Sequence, residues 1–140
     1  MKAIRDFLEG KIVKFNGFNC VASVRPYGSG HVYMQLIDTE DGHPVARVSL
    51  NIDYVPVIEN MILIKSYGEN EGVYEALLEA GIVNKCDRKY PIGFENAHVC
   101  FLAIPNFVEP KSFTIIADDK PLAKDYDLKP KPIPRSPNAR

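Results

Sequence analysis

Apolar and polar positions follow two different periods along this chain of 140 residues. Ala3, Ile4, Phe7 and Leu8 recur at helical spacing and Gly10 follows them, which predicts a short amphipathic helix over residues 2–9. From Lys11 the period shortens to that of strands. Residues 11–15 and 18–25 flank Asn16-Gly17, the pair that best tolerates the two positive φ angles of a type I′ hairpin turn. Pro26 has no backbone N–H to give to a ladder and closes the second strand. Gly28-Ser29-Gly30 then turns the chain into a strand over 31–38, and Asp41-Gly42 turns it into another over 45–52. In that fourth strand Ala46, Val48, Leu50 and Ile52 are expected on one face, with Arg47, Ser49 and Asn51 on a solvated one. Four consecutive strands joined by three short turns make an antiparallel meander.

A fifth strand is expected over 61–65. Ser66-x-x-Glu69 matches a capping box, in which the Ser66 hydroxyl takes the Glu69 N–H and the Glu69 carboxylate reaches back. The main helix is then expected over about 67–80, with Val73, Tyr74, Leu77, Leu78 and Ala80 as its apolar stripe. Gly72 inside it costs about 1 kcal/mol relative to Ala. Gly81 followed by Ile82 fits a left-handed cap whose next residue folds back onto the last turn. Further strands are expected over 89–94 and 98–104, with a short one over 113–117. The fold class is α+β: an antiparallel meander with one main packed helix and a short N-terminal helix.

Composition divides the chain in two. Residues 119–140 hold five of the eleven prolines and six basic against three acidic side chains, a net +3, which leaves the body at −4. We expect one globular domain over 1–118. The Pro/Lys-rich tail, 119–140, is expected to be extended and mobile, or a partner-docking arm, with a homodimer through that tail as one form of docking. Over the whole chain 46% of residues are hydrophobic and 25% charged, with a net charge of −1, so neither wholesale disorder nor a strongly basic nucleic-acid coat is expected. No apolar run approaches the about 18–20 residues of a membrane span, and residues 1–9 have no apolar core of a signal peptide. Cys20, Cys86 and Cys100 form an odd, sparse set without a C-x-x-C pair, which suits a reducing cytoplasm.

Motifs of known chemistry are mostly missing. A metal site would draw on His31, His43, His98 and the three cysteines. Of these, only His98 and Cys100, two residues apart and so on one face of a strand, approach ligand spacing. No metal and no cofactor is expected. Aligning Gly42 with the obligatory glycine of a calcium loop puts Ile37 and Val48 where carboxylates are required, so that motif fails. Gly28-x-Gly30 lacks its third glycine and the helix that would receive a pyrophosphate. A Cys–His pair meets only in space, and nothing local favours any of the three thiols. Tyr27, Tyr33, Phe15 and Phe18 on a meander would suit base stacking, but basic and acidic residues are interspersed along the body instead of lining a groove. The turn that opens the main helix presents Tyr67, Glu69, Asn70 and Glu71, and these four are the expected partner-binding residues. Tyr67 offers a large contact area with few torsions to freeze.

The stretch from Ile64-Lys65-Ser66-Tyr67-Gly68-Glu69-Asn70-Glu71-Gly72-Val73 through Ala80-Gly81-Ile82-Val83 carries a resemblance, together with Ile92-Gly93-Phe94 and the Asp41-Gly42-His43-Pro44-Val45-Ala46 hairpin. Over residues 32–102 the chain resembles small proteins of unknown function carried by bacteriophages and other mobile elements. The resemblance implies an accessory protein acting in the cytoplasm of a bacterial host on host or phage protein complexes. The expected function is accordingly a non-enzymatic protein–protein interaction module. An inhibitor of a bacterial defence complex, of anti-CRISPR or anti-restriction type, is its specific form. The alternatives are a small nucleic-acid-binding protein and a small enzyme whose site assembles in space.

Overall fold

Two antiparallel sheets and two short α-helices build the fold in the computed structural model, which describes residues 1–52 and 54–111. Helix α1 (Lys2–Leu8) buries Ile4 and Leu8 and is followed by Gly10 at a φ of 83°. Asn16 and Gly17 take φ of 52° and 82°, the two positive angles of the predicted turn, and Phe15 faces Phe18 across it. That turn joins β1 (Val13–Phe15) to β2 (Phe18–Pro26). β2 pairs from Cys20 to Pro26 with the whole of β3 (Val32–Asp38), and β3 pairs with β4 (Pro44–Arg47), so the meander has the expected order β1-β2-β3-β4. Its inner face buries Val13, Phe15, Cys20, Val24, Met34 and Leu36 against both helices.

The fourth strand departs from expectation in its second half. β4 ends at Arg47, and Val48 and Ser49 are both buried, at 0% and 1% exposure, so Ser49 does not lie on a solvated face. The cause is a change of partner. After an irregular register opposite Leu36 and Ile37, the Val48 N–H still donates to the Met34 carbonyl at 2.9 Å. The Val48 carbonyl, however, turns to accept the Lys65 N–H at 2.8 Å, and the Leu50 N–H donates to the Leu63 carbonyl at 2.9 Å. The Met34 N–H, deprived of its ladder acceptor, donates instead to Ser49 Oγ at 2.8 Å. A buried hydroxyl thus fills a vacancy that would cost as much as a lost hydrogen bond.

The chain crosses at this point to the second sheet, in the order β5-β7-β6: β5 (Met61–Ile64), β6 (Arg88–Ile92) and β7 (Glu95–Phe101). Gly93, at a φ of 59°, and Phe94 form the two-residue turn between β6 and β7, so Glu95, Asn96 and Ala97 are strand and not the expected gap between two strands. All four residues of β5 are buried, which is why its sequence is an unbroken apolar run. Ile62 and Ile64 join the core shared with the meander and helices. Met61 and Leu63 pack on the other side with Ile52, Val55, Tyr90, Val99 and Phe101.

The expected single helix over 67–80 is divided. A 3-10 turn spans Gly68–Asn70, Gly72 takes a left-handed φ of 89°, and α2 occupies Val73–Glu79. The capping box does not form. Ser66 Oγ accepts the Tyr74 N–H at 3.1 Å, eight residues on, and the Glu69 carboxylate accepts from Lys65 Nζ at 2.9 Å. Gly72 is the reason: its backbone restarts the helix six residues later than the Ser66–Glu69 spacing implies. The C-terminal end follows expectation, with Gly81 at a φ of 74° and its N–H on the Leu78 carbonyl. The Ile82 N–H reaches the Leu77 carbonyl, also at 3.0 Å, and Ile82 is buried beneath the turn. Among the described residues no helix is long and apolar enough to cross a membrane. The expected strand over 113–117, the boundary at 118 and the tail lie outside the described residues.

Two substitutions test this packing by urea unfolding. Ser49→Ala removes the acceptor of the Met34 N–H and should cost about 1–3 kcal/mol. Leu77→Ala, at a fully buried position on α2, should cost about 2–5 kcal/mol. A change within error for Ser49→Ala would show that the Met34 N–H finds another acceptor.

Candidate functional site

The four expected partner-binding residues have different settings in the fold. Glu69 and Glu71 are exposed and Tyr67 is half-buried, with Lys65 Nζ 5.5 Å from its ring centroid. Lys65 also holds Glu69, whose carboxyl lies below its ordinary range mainly through that hydrogen bond. Asn70 is a correction. It is 2% exposed, and its Nδ2 donates to the Arg47 carbonyl at 2.7 Å and to the Lys65 carbonyl at 3.1 Å. Asn70 ties the end of β4 to the end of β5, so its amide is committed to backbone at the floor of a hollow lined also by Arg47 and Lys65.

The turn nevertheless adjoins the solvated face of the meander. Tyr33 and Gln35 point outward from β3 between the buried Val32, Met34 and Leu36, and Arg47 lies opposite Gln35. These three, with Val45, Lys65 and Glu69, line an open hollow of about 350 Å³. The Arg25 guanidinium lies 4.4 Å from the Tyr33 ring centroid, and Tyr27 meets the same ring edge-on at 5.2 Å. Tyr27 is itself anchored, its hydroxyl 3.1 Å from Ser49 Oγ.

The three histidines have three different settings. His31 is buried, with Nε2 2.8 Å from the Val55 carbonyl oxygen. His43 sits at an exposed hairpin tip with Nδ1 3.0 Å from Asp41, whose hydrogen bond raises the imidazole above its ordinary value. His98 belongs to a cluster that sequence reasoning did not assemble. Its ring stacks on Tyr74 of α2 with centroids 4.2 Å apart and planes at 14°. Cys86 Sγ lies 3.9 Å from His98 Nδ1, and the Cys86 N–H donates to the Tyr74 hydroxyl at 2.9 Å. Cys100 lies two residues on from His98, on the same face of β7.

Electrostatics separate the two thiols. The Cys100 hydrogen bond is the largest influence on Cys86, and His98 and Tyr74 add to it, bringing Cys86 down to about 6 against the opposing effect of burial. Cys100, donating to that thiolate and buried, is pushed far up. Cys86 is half-buried and lines an open hollow of about 440 Å³ with Lys85, Asp87, Arg88 and Glu109. The spacing of His98 and Cys100 was the one local signal for this cluster. Cys86 arrives from elsewhere in the chain, so no motif announces it. Among the described residues no three His, Cys, Asp or Glu side chains are placed to hold a metal ion. Comparison with protein-family models, curated proteins and solved structures gave no match.

The acidity of Cys86 is directly measurable. Its alkylation by iodoacetamide should rise with pH around a midpoint of about 6. His98→Gln, which removes one of the groups favouring the thiolate, should move that midpoint upward. A wild-type midpoint near the ordinary thiol value of about 8.5 would show that the cluster does not stabilise a thiolate.

Proposed function

We propose that this chain is a non-enzymatic protein-binding module whose docking face is the solvated side of the meander at its junction with the 67–71 turn. One observation carries the reading: Arg25, Tyr33 and Arg47 stand on paired strands, with Tyr27 just past the end of β2, beside an open hollow. Tyrosine and arginine are, with tryptophan, the residues most enriched at the energetic centres of protein interfaces. A site for a small molecule would instead enclose most of its ligand in a concave pocket. The nucleic-acid alternative is less well supported by the same face. Arg25 lies over the Tyr33 ring and Lys65 over the Tyr67 ring, so cations of the chain itself take positions that stacked bases would need.

The partner class follows from the resemblance to mobile-element proteins: a protein complex of a bacterial host or phage. Inhibition of a defence complex is the specific form of that reading. The net charge of −1 argues for a shaped protein interface and against imitation of DNA. Glu69 and Glu71 place carboxylates at the edge of the face, where basic groups of a partner would meet them.

The test is affinity capture with the tagged full chain from bacterial lysate, followed by calorimetry with the purified partner. Tyr33→Ala and Tyr67→Ala should each weaken binding by about 2 kcal/mol or more, and Glu71→Lys should weaken it while sparing stability. Unchanged affinity in all three would move the interface off this face. Capture of nucleic acid with steep salt dependence would favour the alternative.

A further inference from the structure

We propose that Cys86 and Cys100 form a peroxide-responsive dithiol, in which a hydroperoxide oxidises Cys86 and Cys100 closes an intramolecular disulfide with it. This assignment is independent of the docking face. Its basis is how the fold brings the two sulfurs together. Val83 pairs with Leu102 and Arg88 with Val99, so one segment advances five residues while β7 advances three. The surplus leaves residues 84–87 outside any strand, with the Asn84 N–H on the Phe101 carbonyl at 3.1 Å and Cys86 Sγ 3.9 Å from His98 Nδ1, contacts that flank Cys100 on β7. Cys100 is fixed in the middle strand of its sheet, opposite Ile62. Cys86, on the irregular segment, is the thiol that can adjust to meet disulfide geometry.

The surroundings supply the rest of the chemistry. The residue lines an open hollow, so a small oxidant reaches it, whereas Cys100 is fully buried. His98 Nδ1, 3.9 Å from Cys86 Sγ, takes the thiol proton, and stacking on Tyr74 fixes the imidazole plane. The Cys86 thiolate attacks one oxygen of the hydroperoxide and the O–O bond breaks. The departing oxygen takes the proton from His98 and leaves as water, or as an alcohol from an organic hydroperoxide. Cys86 is then a sulfenic acid. The Cys100 sulfur attacks the Cys86 sulfur, the S–O bond breaks, and the hydroxyl leaves as water with the Cys100 proton. Two thiols are oxidised by two electrons and one hydroperoxide is reduced. A thiolate favoured near neutral pH beside a resolving thiol is the usual setting of a redox-sensing cysteine, and the hydrogen bonds around Cys86 favour its thiolate. The disulfide would bind residues 84–87 to β7 and discharge the thiolate beside Lys85 and Arg88.

The experiment exposes the reduced full-length chain to hydrogen peroxide, quenches with catalase and alkylates, then maps peptides by mass spectrometry. The expected product links Cys86 to Cys100, lighter by two hydrogens, with Cys20 still reduced. Cys100→Ser and Cys100→Ala should both stop at a dimedone-reactive sulfenic acid on Cys86. The pair guards against loss of fold from a hydroxyl placed in the core. His98→Gln, shown by circular dichroism to be folded, should slow oxidation about tenfold at pH 7 as the thiolate fraction falls. Oxidation of Cys86 no faster than of free glutathione would overturn the proposal. So would its passage to sulfinic acid in the wild-type chain without a link to Cys100.

Discussion

The transfer of the chain from one sheet to the other at Val48 and Ser49 is the constraint on which the rest of the molecule depends. A strand that leaves its ladder strands the donors of the neighbour it abandons, and a buried amide without an acceptor is expensive. Here the Val48 carbonyl goes to Lys65 while the Ser49 hydroxyl takes over the Met34 N–H. One residue type at one position lets a four-stranded meander and a three-stranded sheet share a continuous core. Ile62 and Ile64 can then face the meander while Met61 and Leu63 face a second apolar cluster. Without that exchange, β5 would have no reason to be buried on both sides.

The buried polar side chains repeat the same logic. His31, Ser49 and Asn70 are the polar residues buried among those described, and each bonds to backbone of a segment far away in sequence. Asn70 joins the ends of β4 and β5, and His31 reaches the carbonyl of Val55, beyond the crossing. They form a seam along the boundary between the two sheets. The solvated face of the meander lies over that seam, with Tyr27 held to Ser49 and Arg47 held through its carbonyl by Asn70. A binding face built on such supports loses little conformational freedom when it docks. Tyr90 is the exception, since its buried hydroxyl has no hydrogen-bond partner within reach among the described residues, and burial, with the Tyr54 side chain beside it, keeps the phenol protonated far above its ordinary value.

What could be read from the sequence was chemistry confined to a few neighbouring residues. Asn16-Gly17 and Gly81-Ile82 specify turns whose angles and hydrogen bonds are internal to the motif, so both are legible and both form. Gly72 was legible as a cost but not as a requirement. Counted against an uninterrupted helix it loses about 1 kcal/mol, but it supplies a left-handed angle that other residues adopt only under strain. Ser49 read as solvated because period-two alternation assumes one partner strand throughout, and the chain changes partner at that residue. Asn70 read as surface because its two acceptors belong to Arg47 and Lys65, and the first of these is twenty-three residues away.

The thiol cluster shows how legible local motifs combine into an arrangement that is not legible. The Gly81 cap reverses the chain, and Ile82 seals the turn against Leu77. Val83 is thereby delivered to Leu102 at the end of the second sheet, where it makes a single bridge. Each of these steps is local. The offset between that bridge and the Arg88–Val99 pair then determines which residue lies over Cys100, and it is Cys86. With one surplus residue fewer, the segment would run past Cys100 in a different register and present another side chain to His98. Tyr74 restrains the outcome from the helix side, accepting the Cys86 N–H and stacking on His98 at once. The proximity of the two sulfurs is therefore a product of register, which neither thiol's own neighbours encode.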